Sequence, residues 1–326
     1  MSAAAYRLGR TLRPQGGAVE YAGLISLVVL FVVLSFASSA FLSKDNMLDI
    51  LQANADIGIA ACAGTLVIVA GGIDLSIGAI YALAGVLSAR LAISTGVDVG
   101  ILAAIGAGAA VGLLNGLVVT VARVNPLVAT LAGAIIVGGA AEVLANQELL
   151  TPEAASFVSV GRDSIFGVKD TIWIFAIVAL VSGVLLSRAR FGREAKVIGA
   201  NDEVARLSGV AVARVRCLTY VFSGLAAALA GVLAVSQSGQ AQSNIGGIPF
   251  VISVVAAVAV GGTSLRGGDG AIWRTLVGVL FLGLVNNGLS LLNVDPLYYD
   301  VFTGLLILIA VGAESFAQQT AARGWR

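Results

Sequence analysis

The sequence predicts an all-α polytopic membrane protein of about ten transmembrane helices, and three observations predict it. Hydrophobic residues make up 58% of the 326-residue chain and charged residues only 11%, whereas a soluble protein needs roughly 25% charged residues to cover its wet surface. The mean hydropathy is +0.99. The apolar residues gather into runs close to the ~20 residues that a bilayer-spanning helix needs, separated by short polar intervals.

The runs, in order, are 19–41, 51–70, 75–95, 99–122, 126–145, 171–187, 218–235, 248–260, 271–292 and 297–313. The first follows Arg7, Arg10 and Arg13 and is too long for a signal-peptide core, so it reads as a retained helix. Cytoplasmic loops of membrane proteins are enriched in Lys and Arg. Ten spans with both termini inside place fifteen of the nineteen basic residues on the cytoplasmic side. Only Lys44, Arg90, Arg162 and Lys169 fall outside or near it. The organisation predicted is a cytoplasmic tail (1–18), one transmembrane domain (19–316) and a second cytoplasmic tail (317–326).

Two loops stand out. The outer segment 146–170 carries Glu148, Glu153, Asp163 and Asp170 against Arg162 and Lys169. It reads either as a small surface helix on which an external protein docks or as a solvated connector. The inner interval 188–216 is the longest polar break and holds Arg188, Arg190, Arg193, Lys196, Arg206, Arg214 and Arg216. Its composition alone makes it a basic loop that fixes topology.

Composition also excludes functions. A net charge of +1 gives no sign of a nucleic-acid partner, and the absence of histidine removes the commonest metal ligand and general base. No nucleophile–base spacing, metal-ligand cluster or phosphate-cradling loop followed by Lys and Ser or Thr is present, so neither catalytic nor metal residues are expected. Cys62 and Cys217 lie in or beside apolar runs and read as small buried hydrophobes.

Glycine is frequent, at 41 residues. Gly108, Gly112 and Gly116 recur every fourth position and predict a helix face that approaches a neighbour closely. Two short apolar runs end alike, in Gly71-Gly72-Ile73-Asp74-Leu75-Ser76-Ile77-Gly78 and Gly261-Gly262-Thr263-Ser264-Leu265-Arg266-Gly267-Gly268. Both fit GGxxLxxG, at an offset of 190 residues. Short, glycine-interrupted segments in corresponding halves point to broken helices around a transport path, so Gly71, Gly72, Gly261 and Gly262 become path candidates. Simple turn chemistry fits the same pattern.

Asp74 has two compatible readings, a helix N-cap and a residue of the path. Asn115, Asn286 and Asn287 lie inside apolar helices, where an amide bonds either a polyhydroxylated solute or a neighbouring helix. Glu142 and Glu314 sit near helix ends and reach water. Without a deep pair of charged residues, a proton- or sodium-driven mechanism has little support.

Three stretches carry a family likeness: LVIVAGGIDLSIGAIYALAGV (66–86), KVIGANDEVARLSGV (196–210) and AVAVGGTSLRGGDGAIWRTLVGVLFLGLVNNGLSLL (257–292). From about residue 41 to 314 the chain resembles the ribose-type, monosaccharide permeases of ATP-binding cassette importers. The resemblance implies an inner-membrane subunit that pairs with a second copy or a paralogue, works with cytoplasmic ATPase subunits, and receives sugar from an external binding protein. ATP and Mg would then sit on the ATPase, with no cofactor on this chain. It also implies that the inner loop carries a coupling helix at Lys196, Gly199, Asn201, Asp202, Glu203, Ala205, Arg206, Leu207 and Gly209. Those residues suit a short amphipathic turn, capped by Asn201 or Asp202, that offers charge and one apolar knob.

The expected function is import of a pentose or hexose. The same architecture carrying a branched-chain amino acid or nucleoside is the alternative, although no deep cation suits a carboxylate. A self-sufficient transporter would need its own ion site, and an integral membrane enzyme lacks its chemistry.

Overall fold

The structure, a computed structural model, describes residues 18–152, 154–299, 301–305, 308, 309 and 312. Thirteen α-helices lying wholly among the described residues carry the fold, and their limits follow from local chemistry. Helix α1 (Ala18–Ala37) is apolar from Tyr21 on apart from Ser26 and Ser35. Ser43 then starts α2 (Lys44–Ala53), its hydroxyl accepting from the Asn46 N–H at 3.3 Å. Helix α3 (Ala55–Val69) follows after a 47° bend at Asn54, a break inside what the sequence presents as one run.

Helices α4 (Ile77–Ser94) and α5 (Val97–Thr120) are joined at Gly96, whose φ of 143° few other residues adopt. Asn125 caps α6 (Pro126–Ala145), with proline at the first helical position where no N–H is needed. The outer segment forms a small helix α7 (Ala155–Arg162) and a two-residue hairpin of β1 (Ser164–Ile165) and β2 (Val168–Lys169). Next come α8 (Asp170–Ser187), α9 (Arg190–Ala200), α10 (Asp202–Leu207), α11 (Val212–Ser238), α12 (Gly247–Val260) and α13 (Ile272–Leu291). A 3₁₀ turn, Pro296–Tyr298, follows.

Among the described residues, α4, α5, α6, α8, α11 and α13 are long and apolar enough to cross a membrane, and bent α2–α3 makes a seventh. Helices α1 and α12 are apolar but shorter. The last predicted run, 297–313, lies partly outside the described residues, as do Glu153, Glu314 and both tails.

Helices α3, α4 and α11 form the centre. Almost every residue of α3 is buried, and α11 packs on α5, α4 and α3. The outer helices turn one stripe inward. On α5 that stripe is Gly100, Ala104, Gly108, Gly112, Asn115, Gly116 and Val119, while Leu113, Leu114 and Val121 point away. The predicted glycine face meets α11 backbone to backbone. A Cβ on Gly112 would strike the Tyr220 carbonyl, and one on Gly224 would strike the Gly108 carbonyl. Lipid gives helices no hydrophobic reason to associate, so this close approach supplies the van der Waals contact. On its other side α11 sets Gly231 against the Tyr81 carbonyl of α4.

The outer segment is tied down. Arg162 donates to the carbonyls of Gln237 (2.8 Å) and Ser238 (2.9 Å), satisfying the C-terminal end of α11. A bridge between Leu150 and Ala241 adds a second tie.

Candidate functional site

Two regions collect the candidate residues: a polar network inside the helix bundle, and the connection from α9 to α11.

Inside the bundle, residues 71–76 connect α3 to α4 without forming a helix. Asp74 lies in the middle of that segment and is only 4% exposed. Its Oδ1 accepts from the Ser76 N–H (2.9 Å) and the Ser76 hydroxyl (2.6 Å), and its Oδ2 accepts from the Ser223 hydroxyl of α11 (2.7 Å). The Asn115 amide of α5 donates to Ser76 Oγ at 2.8 Å. Thr130 of α6 accepts from the Leu75 N–H (3.1 Å), and the Tyr220 hydroxyl donates to the Ile73 carbonyl (3.3 Å). Non-helical backbone in a membrane interior needs such internal partners, because lipid supplies none.

Asp74 is not the N-cap of α4, which is Ser76 without a side-chain cap bond; its carboxylate instead holds the Ser76 N–H in a turn just ahead of the helix. A second non-helical stretch, 239–246, precedes α12 and reaches the same place, with Gly246 and Gly247 against Gly78 backbone.

The other amides diverge. Asn287 and Asn46 exchange hydrogen bonds across α13 and α2, at 2.7 and 3.2 Å. The Asn286 Oδ1 is buried without a hydrogen-bond partner among the described residues. Glu142 is exposed on a surface cleft of about 500 Å³, shared with Gln147, Glu148, Leu149, Gln242, Ser243 and Asn244.

The two Gly-Gly pairs end helices, and they do so one residue out of step. After α3, Gly71 (φ 75°) bonds back to the Ile68 carbonyl and Gly72 to that of Val67, both at 2.9 Å. After α12, Gly262 (φ 86°) bonds back to Ala259 at 2.9 Å and Thr263 to Val258 at 3.2 Å. Each is the left-handed glycine stop that satisfies two orphan carbonyls. The first glycine occupies the left-handed position in one motif and the second glycine in the other. The shared GGxxLxxG pattern is thus turn chemistry in both places. The Gly262 carbonyl also accepts from Arg274, which is 8% exposed and pairs with Asp269 at 2.9 Å.

The loop 188–216 is built of helices. Asn201 caps α10, its side-chain oxygen accepting from the N–H groups of Glu203 and Val204 at 3.0 Å. Gly209, at φ 76°, stops the helix, with return bonds from Gly209 to Arg206 and from Val210 to Ala205. Ala205 is fully buried against α9 and α11, while Leu207 is 83% exposed. Asp202 pairs with Arg206 (2.7 Å) and with Arg216 of α11 (3.3 Å), so the turn is braced from both sides. Lys196 is half-buried on α9, and Glu203 is exposed.

Gly199, near the end of α9, lies deeper than the sequence suggests. It touches backbone on both Gly-Gly connections, and Ala200 rests on Gly268.

Sequence reasoning missed Asp56 in the first turn of α3. Its carboxylate accepts from the Ile57 N–H (2.7 Å) and the Tyr81 hydroxyl (3.0 Å), and Tyr81 stacks on Phe250 with ring centres 4.1 Å apart. An acid in the apolar stretch after Asn54 was the signal. The interior thus holds two carboxylates, Asp56 and Asp74, each with its own hydroxyl donors. Ser223 carried no sequence signal, since serines within apolar helices commonly bond their own backbone.

Comparison with known proteins decides the family. Residues 46–311 match the model of the family described as the branched-chain amino acid transport system / permease component. The chain belongs to that family of transport permeases. Relatives within it include the ribose import permease protein RbsC of Escherichia coli K12, 36% identical over 308 residues, covering 93% of this chain and 96% of that protein. RbsC of Bacillus subtilis is 38% identical over 291 residues, covering 88% and 90%. The L-arabinose transport system permease AraH of E. coli K12 is 34% identical over 303 residues, covering 92% of each. Among solved structures, an inward-facing metal-chelate-type ABC transporter superposes with TM-score 0.54 at 18% identity, covering 90% of this chain and 99% of that one, and so shares the fold. The permease is a multi-pass membrane protein on both its helices and its relatives.

Proposed function

We propose that this permease is the membrane subunit of an ATP-binding cassette importer that carries a monosaccharide, a pentose or hexose, across the bacterial inner membrane. The observation that carries the reading is near-full-length similarity to ribose and L-arabinose permeases of several bacteria. Two copies, or this chain and a paralogue, form the path. Cytoplasmic ATPase subunits, separate or fused, hold ATP and Mg, and an external binding protein delivers the sugar, so this chain itself binds no cofactor. Ten spans with both termini inside, tails at 1–18 and 317–326 and a membrane domain at 19–316 complete the arrangement.

Helix α10 is the ATPase contact in this reading. A six-residue helix is not stable alone in water, because its first turn costs more than so few bonds return. Here the Asn201 cap, the Gly209 stop and the buried Ala205 hold it in shape, leaving Val204, Arg206 and Leu207 free to meet a groove. Lys196, Asn201, Asp202, Glu203 and Gly209 support that surface, while Gly199 couples from behind it, against the Val69 and Gly268 backbone and away from the docking face.

The solute path runs beside the two non-helical stretches, 71–76 and 239–246. Asp74 and Asn115 brace it, Asn287 fixes one wall through Asn46, and Asn286 stands beside Asn287 on α13 with its amide oxygen buried. Gly71, Gly72, Gly261 and Gly262 bound its inner end.

The family description favours a second reading, a branched-chain amino acid as solute. Stimulation of ATP hydrolysis in the assembled importer separates the two. Monosaccharide-loaded binding protein should stimulate, and a response confined to a leucine-loaded protein would replace the sugar reading.

A further inference from the structure

Three chain segments far apart in sequence meet at one backbone joint. They are the turn after α3, the end of α9, and the turn between α12 and α13. The Gly268 N–H donates to the Val69 carbonyl at 2.9 Å, linking the first and third. Gly199 fits between them: a Cβ there would strike the Val69 carbonyl and would come within 2.5 Å of the Gly268 nitrogen. The contact continues on either side. Gly267, at φ 86°, lies against the Gly71 backbone, where a Cβ would come 2.9 Å from Gly71 Cα, and Gly268 lies on Ala200. Arg216 of α11 closes the joint, its guanidinium 3.5 Å from the Ala70 carbonyl and 3.3 Å from Asp202.

We propose that this joint is a rigid transmission element, and that Gly199 is the positioning residue through which movement of α9 and α10 reaches both connections at once. The proposal rests on α10 being the ATPase contact. Backbone packed on backbone has no side chain to yield, so a displacement passes across it undiminished. The first connection leads directly into the Asp74 segment. Asp74 binds Ser223, seven residues along α11 from Arg216 and so about 10 Å deeper at 1.5 Å per residue. The second connection leads into α13, which carries Asn286 and Asn287. Movement thereby reaches the interior without first bending α8 or α11.

The test uses the permease–ATPase complex in proteoliposomes, with binding protein and radiolabelled ribose as the probe. Gly199→Ala should leave association with the ATPase and stimulated ATP hydrolysis within twofold, and lower ribose uptake at least tenfold. Gly138→Ala, at a position with open space around it, should change neither. Coupled uptake unchanged in Gly199→Ala would overturn the proposal. Loss of ATPase association in the Leu207→Asp variant, with uptake in Gly199→Ala unchanged, would sink the joint and keep the docking surface.

Spin labels test rigidity on an unaltered joint, should Gly199→Ala fail to assemble. Placed at Ser208→Cys and Arg266→Cys, with Cys62 and Cys217 replaced by alanine, they should keep one separation with and without ATP. A separation that changes with ATP contradicts rigidity whatever the fate of the Gly199 variant.

Discussion

The Ser223 hydroxyl donates to Asp74 Oδ2 at 2.7 Å, joining α11 to the only described non-helical segment between α3 and α4 across 149 positions of sequence. Hydrogen bonds to a charged acceptor contribute about 1.5–3 kcal/mol, and a buried partner left unpaired costs a similar amount. Asp74→Asn replaces one acceptor oxygen with an N–H₂, so at least one of the three donors from Ser76 and Ser223 loses its acceptor. It should lower the midpoint of thermal unfolding in detergent by several degrees and reduce membrane abundance. Ser223→Ala should do the same to a smaller extent. Normal stability with lost uptake would move Asp74 from brace to solute contact.

The α5–α11 crossing gives a second expectation. Gly224→Ala would drive a methyl group into the Gly108 carbonyl, and overpacking of this kind costs typically about 1–3 kcal/mol. The variant should be less abundant and melt earlier than Gly106→Ala, which sits on α5 with open space around it. Equal melting of the two would remove close packing as the reason for the glycine stripe.

At α10, removal of the Asn201 cap by alanine should cost roughly 1 kcal/mol locally. Uptake should fall with ATPase association weakened but not abolished, as read by co-purification. Arg206→Glu and Leu207→Asp leave the cap intact and should uncouple ATP hydrolysis from uptake while the protein still inserts. Full coupling in both variants would count against a docking role for the exposed face.

Arg162→Ala frees the Gln237 and Ser238 carbonyls and unties the segment 146–170 from α11. Protease added outside should then cut within 146–170 faster, while ATPase association stays unchanged. Cutting at the original rate would show that the Leu150–Ala241 bridge suffices.

The helices were legible because most apolar runs are long enough to reach across lipid, and several of their ends carry Ser, Asn, Pro or Gly. The α10 turn was legible for the same reason, since Asn201 and Gly209 are local signals. What escaped was whatever depends on a distant partner. The bend at Asn54 falls within the run 51–70, where Gln52, Asn54 and Asp56 alone mark it, and nothing around Gly199 announces that it will meet Val69 and Gly268. The GGxxLxxG repeat looked like one device used twice. The atoms show two stops of the same kind set one residue apart, because a left-handed glycine is required after each helix but its position within the pair is not.

The most direct test of the account is ATP-dependent uptake by reconstituted components. Proteoliposomes holding this permease with its ATPase and a sugar-loaded binding protein should accumulate sugar only when ATP is hydrolysed, and omission of any one component should abolish uptake. Uptake by the permease alone, or uptake indifferent to ATP, would contradict the account and make the chain a self-sufficient transporter.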